Sequence, residues 1–253
     1  MDGAGHDGSG AGVALVTGGS RGIGAATAAA LACAGWDVAI SYRARADAAE
    51  RVVAGVEGAG RRALSVRADL AVADEIGPLF DAVEDALGPL GLLVNNAGVV
   101  SPLGRVTSYD AARLDAVLRL NVAGAFLAAG EAVRRMSTSS GGAGGVIVNV
   151  SSRAAVLASA GDYVDYAASK AALDVLTVGL AQEAAADGIR VVGVRPGLIH
   201  TEIHAPGRLP RTGSSPPLGR PGRPEEVAAT IVWLASPAAS YVTGATLDVG
   251  GGR

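Results

Sequence analysis

The feature that most limits the fold of this 253-residue chain is a regular alternation of two kinds of apolar segment. Short runs rich in Val and Ile lie at Val13–Thr17, Asp37–Tyr42, Ala63–Arg67, Leu92–Asn95, Val146–Ser151, Arg190–Val194 and Thr246–Val249. Most are apolar at consecutive positions, as in parallel strands covered on both faces. Between them lie longer, Ala-rich stretches with helical patterning: Gly22–Ala34, Ala46–Gly58, Val72–Leu87, Ser108–Met136, Asp162–Asp187 and Pro224–Ala235. Strand–helix alternation builds right-handed βαβ units. The pattern predicts an α/β fold with a doubly wound parallel sheet of seven strands and helices on both faces.

Composition removes several function classes. Hydrophobic residues are 49% and charged residues 18%, which argues against disorder. The net charge of −3 argues against a broad basic surface for nucleic acid. No apolar run approaches the roughly 18–20 residues of a membrane span, so no membrane partner is expected. The single cysteine, Cys33, excludes an intrachain disulfide and a multi-cysteine metal site, and no metal is expected. It sits among alanines and reads as a small core residue. Met1–Gly12 is Gly-rich, without the basic start and apolar centre of a signal peptide, and reads as a flexible tail. A cytoplasmic location is the expectation that follows. Residues 13–253 read as one domain, with a Ser/Gly loop at Ser137–Gly145. A long Pro-, Gly- and Arg-rich segment at about residues 200–222 reads as a binding loop.

The first strand runs into Thr17-Gly18-Gly19-Ser20-Arg21-Gly22-Ile23-Gly24 and then a helix. Glycines let backbone N–H groups approach a phosphate, and the helix N-terminus adds its positive end. Placement between strand and helix favours a dinucleotide turn over a merely structural one, and no Gly-Lys-Ser/Thr closes it as in a nucleoside triphosphatase. An acid about 20 residues past the glycines would read the ribose 2′-hydroxyl of NAD. The second strand ends instead in Ile40-Ser41-Tyr42-Arg43. Arg43 and Arg21 suit a 2′-phosphate, which favours NADP(H) over NAD(H); the competing reading is two solvated arginines.

Of the 21 basic residues only Lys170 is a lysine. It lies four residues after Tyr166, so the two side chains share a helix face. A phenol with a pKa near 10 exchanges protons poorly at neutral pH, and a neighbouring ammonium lowers that pKa. A core tyrosine beside a solvated lysine is the alternative. The fifth strand ends in Ser151-Ser152, at the carboxyl edge where such sheets bind ligands. A serine there can bond a substrate oxygen or merely cap backbone.

Together these motifs resemble the short-chain dehydrogenase/reductase family, over about Gly12–Arg253. The residues that carry the resemblance are Thr17, Gly18, Gly22 and Gly24, Asn95-Asn96-Ala97-Gly98, Asn121, Ser152, Tyr166 with Lys170, and Pro196-Gly197. The endings Tyr241–Gly244 and Asp248–Gly252 also fit. The resemblance implies a Rossmann-like catalytic domain and a tetrad. Tyr166 would be the general acid or base, Lys170 would lower its pKa and hold the nicotinamide ribose, Ser152 would polarise the carbonyl, and Asn121 would anchor a water leading from Lys170. It further implies cofactor contacts at Ser20, Ile23, Asp69, Leu70, Asn95, Ala97, Gly98, Pro196, Gly197, Ile199 and Thr201, with Asp69 at the adenine and Ile199 or Thr201 at the carboxamide. A homotetramer is implied as well, one interface formed by the long helices after strands four and five and the other by the last helix and strand.

One spacing departs from the family. Ser152 and Tyr166 are fourteen positions apart rather than thirteen, Arg153 holds the thirteen-residue slot, and an insertion within Ala158–Asp165 accounts for it. Tyr163 has Ala167 four residues on, which leaves it as a pocket wall. His200 and His204 have a metal-ligand spacing but no third ligand and read as loop residues. Arg61-Arg62 and Arg134-Arg135 read as solvated ends of elements. The expected activity is an NADP(H)-dependent interconversion of a small carbonyl compound and an alcohol, similar to 3-oxoacyl-carrier-protein reductases and bacterial glucose-type dehydrogenases. The rivals are an NAD-dependent sugar or secondary-alcohol dehydrogenase and a non-catalytic dinucleotide sensor.

Overall fold

The computed structural model describes residues 11–201 and 216–253. Residues 1–10 of the expected tail and 202–215 of the expected loop, His204 among them, lie outside the described residues. Gly12, assigned to the tail, opens the first strand. Seven strands form one parallel sheet: β1 Gly12–Val16, β2 Trp36–Tyr42, β3 Ala63–Arg67, β4 Leu90–Asn95, β5 Gly145–Val150, β6 Ile189–Pro196 and β7 Thr246–Val249. Their order is β3-β2-β1-β4-β5-β6-β7. Val16 is the register partner of Ile40 on β2 and of Val94 on β4.

Side chains alternate across the strands, so each strand feeds two cores. Ala14 and Val16 of β1, with Val38, Val94, Val148 and Val192, pack beneath α1 (Gly22–Cys33), α2 (Ala46–Gly58) and α8 (Pro224–Ala235). Val13 and Leu15, with Leu93, Ile147 and Val191, pack beneath α3 (Ile76–Leu87), α5 (Ala125–Met136) and α7 (Val164–Ala184). The predicted doubly wound fold is the observed one.

Several local expectations need correction. The predicted helix Ser108–Met136 is three pieces: α4 (Ala111–Leu118), a π-helical turn at Arg119–Gly124, and α5. The Asp110 side chain caps α4 by accepting the Arg113 N–H at 2.8 Å. Within the π turn, a Cβ on Gly124 would stand 2.3 Å from the Leu70 carbonyl oxygen, so only glycine permits this approach. The stretch Ala111–Met136 is also long and apolar enough, by length and composition alone, to cross a membrane, contrary to the reading of the runs. Its buried positions Ala125, Ala128, Ala129, Ala132 and Met136 are packed within the protein.

A short helix not read from the sequence, α6 (Ala154–Leu157), follows β5. It ends in Ala158 and Ser159 at φ 60° and 50°, left-handed values that side chains with a Cβ adopt at a cost. The break lies where the insertion is expected. Cys33 is exposed, not core. The buried stripe of α1 is Gly24, Thr27, Ala28, Leu31 and Ala32, and Cys33 is one residue off it. Arg135 is not a solvated helix end either: it bridges Asp81 and Glu84 of α3 and Glu131 of α5. Arg61, with Arg62, pairs with the buried Asp37.

The Gly124 contact yields a prediction. Gly124→Ala forces a methyl against the Leu70 carbonyl, and overpacking of this kind costs about 1–3 kcal/mol. The urea midpoint should fall accordingly, whereas Gly130→Ala, with only the Arg134 guanidinium near the added carbon, should raise it slightly, because Ala is favoured over Gly by about 0.5–1 kcal/mol inside a helix.

Candidate active site

The strand order reverses between β1 and β4, so a crevice opens at their carboxyl ends. Thr17 closes its floor. Its hydroxyl accepts the N–H groups of Asn96 at 2.9 Å and Ala97 at 3.0 Å. The Asn96 amide returns hydrogen bonds to the carbonyls of Thr17 (2.8 Å) and Gly18 (3.1 Å). Gly18 stands at φ 62°, and a Cβ there would lie 3.0 Å from the Ala97 Cα. The turn therefore sits directly on the β4 end, with the N-terminus of α1 beyond it.

A cleft of about 430 Å³ runs along this turn. Gly18, Ser20, Arg21, Gly22, Ile23 and Gly24 form one wall; Arg43, Asp69 and Leu70 form the other; Ala97, Gly98 and Thr201 also line it. Sequence reasoning did not single out Ser41, Tyr42, Arg45 and Asn96 as wall residues. Their signal was position, since each ends or follows a strand beside the turn. Ser41 accepts the Gly18 N–H at 3.2 Å. Arg43 is 63% exposed and its guanidinium is 4.0 Å from the Asp69 carboxylate, whose other oxygen accepts the Ala71 N–H at 3.0 Å. Asn95 corrects the expected list: it is buried beneath the cleft, and its amide donates to the Ala125 carbonyl (2.8 Å) and the Asn149 side chain (3.3 Å).

A second cavity, of about 360 Å³, continues from the first and shares Ile23, Asn96, Gly98 and Thr201 with it. It holds Ser152, Tyr163, Tyr166, Lys170, Pro196, Gly197 and Ile199. Leu157, Ser159 and Asp162, in the stretch Ala154–Tyr163 expected to set the substrate, also line it, and so do Arg153 and Arg253, which were not foreseen as site residues. Arg253 is remote in sequence from the rest, so no local pattern could have placed it. The rings of Tyr163 and Tyr166 meet in a T-shaped pair, with centroids 5.5 Å apart and planes at 85°.

The expected tetrad lies on three elements: Asn121 in the π turn, Ser152 just after β5, and Tyr166 and Lys170 on α7. Lys170, on α7, is 3% exposed; its ammonium donates to the Val150 carbonyl at 2.8 Å and lies 5.8 Å from the Tyr166 ring centroid. Burial pushes its pKa down to about 8, opposed by the negative charge of Asp174. The two serines separate cleanly. Ser151 donates its hydroxyl to the Lys170 carbonyl (2.9 Å), while the Ser152 hydroxyl oxygen accepts the Ala154 N–H (3.1 Å) at the cavity wall. Arg153 pairs with Asp248 instead of filling the serine's place.

Asn121 lies in the π turn, buried and outside both cavity linings. It holds the Val99 backbone from both sides, accepting its N–H (2.8 Å) and donating to its carbonyl (2.9 Å). Its remaining amide hydrogen goes to Ser169 Oγ (3.0 Å), which donates in turn to the Tyr166 carbonyl (2.7 Å). Gly98 separates Asn121 from Lys170: a Cβ there would meet Asn121 Oδ1 and Lys170 Nζ at 3.3 Å each.

Comparison with known proteins agrees with this geometry. Residues 18–253 match the family profile described as enoyl-(acyl carrier protein) reductase, of the short-chain alcohol dehydrogenase type. The chain is 50% identical over 245 residues to the uncharacterized oxidoreductase YgfF of Escherichia coli (strain K12), covering 95% of this chain and 99% of that protein. It is 40% identical to the 3-oxoacyl-[acyl-carrier-protein] reductase of Synechocystis sp., covering 95% and 96%. Among solved structures, a short-chain dehydrogenase from Burkholderia cenocepacia in complex with NADP superposes with a TM-score of 0.86 at 37% identity, covering 94% and 96%. The parallel sheet, the glycine turn at its reversal and the Ser152, Tyr166 and Lys170 cavity thus belong to an oxidoreductase of the short-chain dehydrogenase/reductase family.

Proposed function

We propose that this protein uses NADP(H) to interconvert a small ketone or aldehyde and the corresponding alcohol, with Tyr166 as general acid in reduction and general base in oxidation. The observation that carries the reading is the convergence of Ser152, Tyr166 and buried Lys170 on one cavity continuous with the glycine-turn cleft. The nicotinamide would supply or accept the hydride. The protein supplies position and charge. The Ser152 hydroxyl, its oxygen already engaged by the Ala154 N–H, donates to the substrate oxygen. The Tyr166 phenol gives that oxygen its proton, or takes it back in oxidation. The Lys170 cation beside the ring favours the phenolate and brings its pKa toward the working range.

Two features support a dinucleotide with a 2′-phosphate. The end of β2 carries no acid, and Arg21, Arg43 and Arg45 line the cleft there. The reading extends to a cytoplasmic homotetramer. Val175 and Val178 on α7 and Phe126 on α5 are exposed apolar residues on one pair of helices, and Trp233 and Tyr241 are exposed at the other expected interface. Sedimentation at micromolar concentration tests it.

Titration with NADPH and NADH tests the cofactor. NADPH should bind more tightly, and Arg43→Ala should weaken NADPH about tenfold or less while sparing NADH, the size expected for one exposed charge-assisted contact of about 1 kcal/mol. Equal affinities in the unmodified protein defeat the 2′-phosphate reading. Tyr166→Phe should keep NADPH binding and lose turnover by about 10²-fold or more; retained turnover excludes Tyr166 as the acid.

Lys170 also gives a pH signature. Its folded value of about 8 lies below the unfolded value of 10.5, so folding with the ammonium buried is penalised fully below pH 8 and not at all above 10.5. On account of this residue, stability rises with pH across that window. Lys170→Met removes the slope. Relative to the unmodified protein without cofactor, its urea stability advantage should shrink by about 1–2 kcal/mol between pH 7 and pH 9.5.

A further inference from the structure

Tyr166 sits in the first turn of α7, and that turn is held from outside its own helix. Asp165, the residue before it, has a fully buried side chain. The Arg113 guanidinium on α4, itself 14% exposed, grips both carboxylate oxygens: Nε donates to Oδ2 at 2.7 Å and Nη2 to Oδ1 at 3.1 Å. Burial works against the charge of Asp165, yet the guanidinium, with the Tyr166 N–H and Ser101, holds its pKa below the usual carboxylate range.

The same arginine reaches further. Its Nη1 donates to the Pro102 carbonyl at 2.7 Å, and its plane lies 3.8 Å over the Tyr109 ring. The Tyr109 hydroxyl accepts the Val164 N–H, at the start of α7, at 3.0 Å and donates to the Gly104 carbonyl at 3.2 Å. The Gly104 N–H donates to the Asp162 carbonyl at 2.8 Å. Three elements therefore meet at Arg113: the segment after β4, the start of α4 and the first turn of the tyrosine helix.

We propose that Arg113, Asp165 and Tyr109 are positioning residues that set where the Tyr166 hydroxyl stands in the cavity, so that the segment following β4 and the tyrosine move as one body. The proposal rests on the reading of Tyr166 as the proton donor. A bidentate fork fixes rotation as well as distance, which a single contact does not. Rotation of the first turn swings the phenol across the cavity, and misplacement by about 1 Å costs on the order of 10²-fold in rate. From the other side, the Tyr166 carbonyl is held through Ser169 by Asn121. Arg113 and Asn121 lie on one continuous helical rod, α4 and its π turn, so a single rod holds both sides of the tyrosine turn.

Removing one partner of a buried pair can unfold a domain. The test therefore uses Arg113→Lys and Asp165→Glu, which keep both charges and lose the fork geometry. Ethyl acetoacetate with NADPH is the probe reaction, and 13Cζ-tyrosine labelling resolves the five tyrosines, with Tyr166→Phe assigning its signal. The expected result is a kcat lowered at least tenfold in each variant. The KM for NADPH should stay within twofold, melting temperatures should stay near that of the unmodified protein, and the Tyr166 resonance should shift. The double variant should be no slower than the worse single one. A Tyr166 resonance unchanged in both variants overturns the proposal, whether or not the probe is turned over, as does a kcat within twofold of the unmodified protein. Retained turnover in Tyr166→Phe is a separate outcome: it defeats the proton-donor reading, while the resonance still decides whether the clamp orients the residue.

Discussion

The site depends on one hydroxyl. Thr17 stands at the end of β1, where the strand order reverses, and its hydroxyl accepts two successive N–H groups from the end of β4. The Thr17 N–H still donates to the Val94 carbonyl at 3.0 Å, and the N–H groups of Asn96 and Ala97 beyond it need other partners. The Thr17 hydroxyl and the Asn96 amide supply those partners reciprocally. The crevice is thereby open to ligand and closed at its floor. Gly18 then passes close over Ala97, and the cleft along the turn adjoins the cavity that holds Ser152, Tyr166 and Lys170.

The second organising element is the rod formed by α4, the π turn and α5. The wider turn at Arg119–Gly124 breaks the regular helix register where Asn121 must engage the Val99 backbone and Ser169. π turns commonly mark functional positions for this reason: they redirect one side chain without breaking the helix. Gly124 brings the same rod against the Leu70 carbonyl, and Leu70 lines the nucleotide cleft. At its far end Arg135 ties α5 to α3. The rod thus couples the cofactor side, the tyrosine turn and the second core.

Much of this was legible in the sequence. All seven strands lie where the Val- and Ile-rich runs placed them, with ends within two residues, because a doubly covered strand shows itself as a continuous apolar run. The glycine turn, Ser152, Tyr166 and Lys170 converge as expected because their motifs are local or lie at the carboxyl ends of strands. What was misread depends on contacts between distant segments. Asn95 looked like a cleft residue, but strand alternation turns it toward Ala125. Arg135 looked like a solvated end until α3 was brought beside it. Cys33 shares the alanine-rich composition of α1 but not its buried stripe.

The sequence by itself determined the parallel α/β architecture, the position of the reversal and the residue types that line the cleft and the cavity. Periodicity and turn chemistry act over a few residues, and a single chain displays them in full. Only the tertiary structure decided which serine bonds the Lys170 carbonyl, how far Lys170 is desolvated, that Asn121 rides on a π turn, and that Arg113 closes on Asp165. Each of these is a contact across 19 to 52 positions of chain, or a burial created by several elements at once. Such contacts are specified by packing, which no local pattern records.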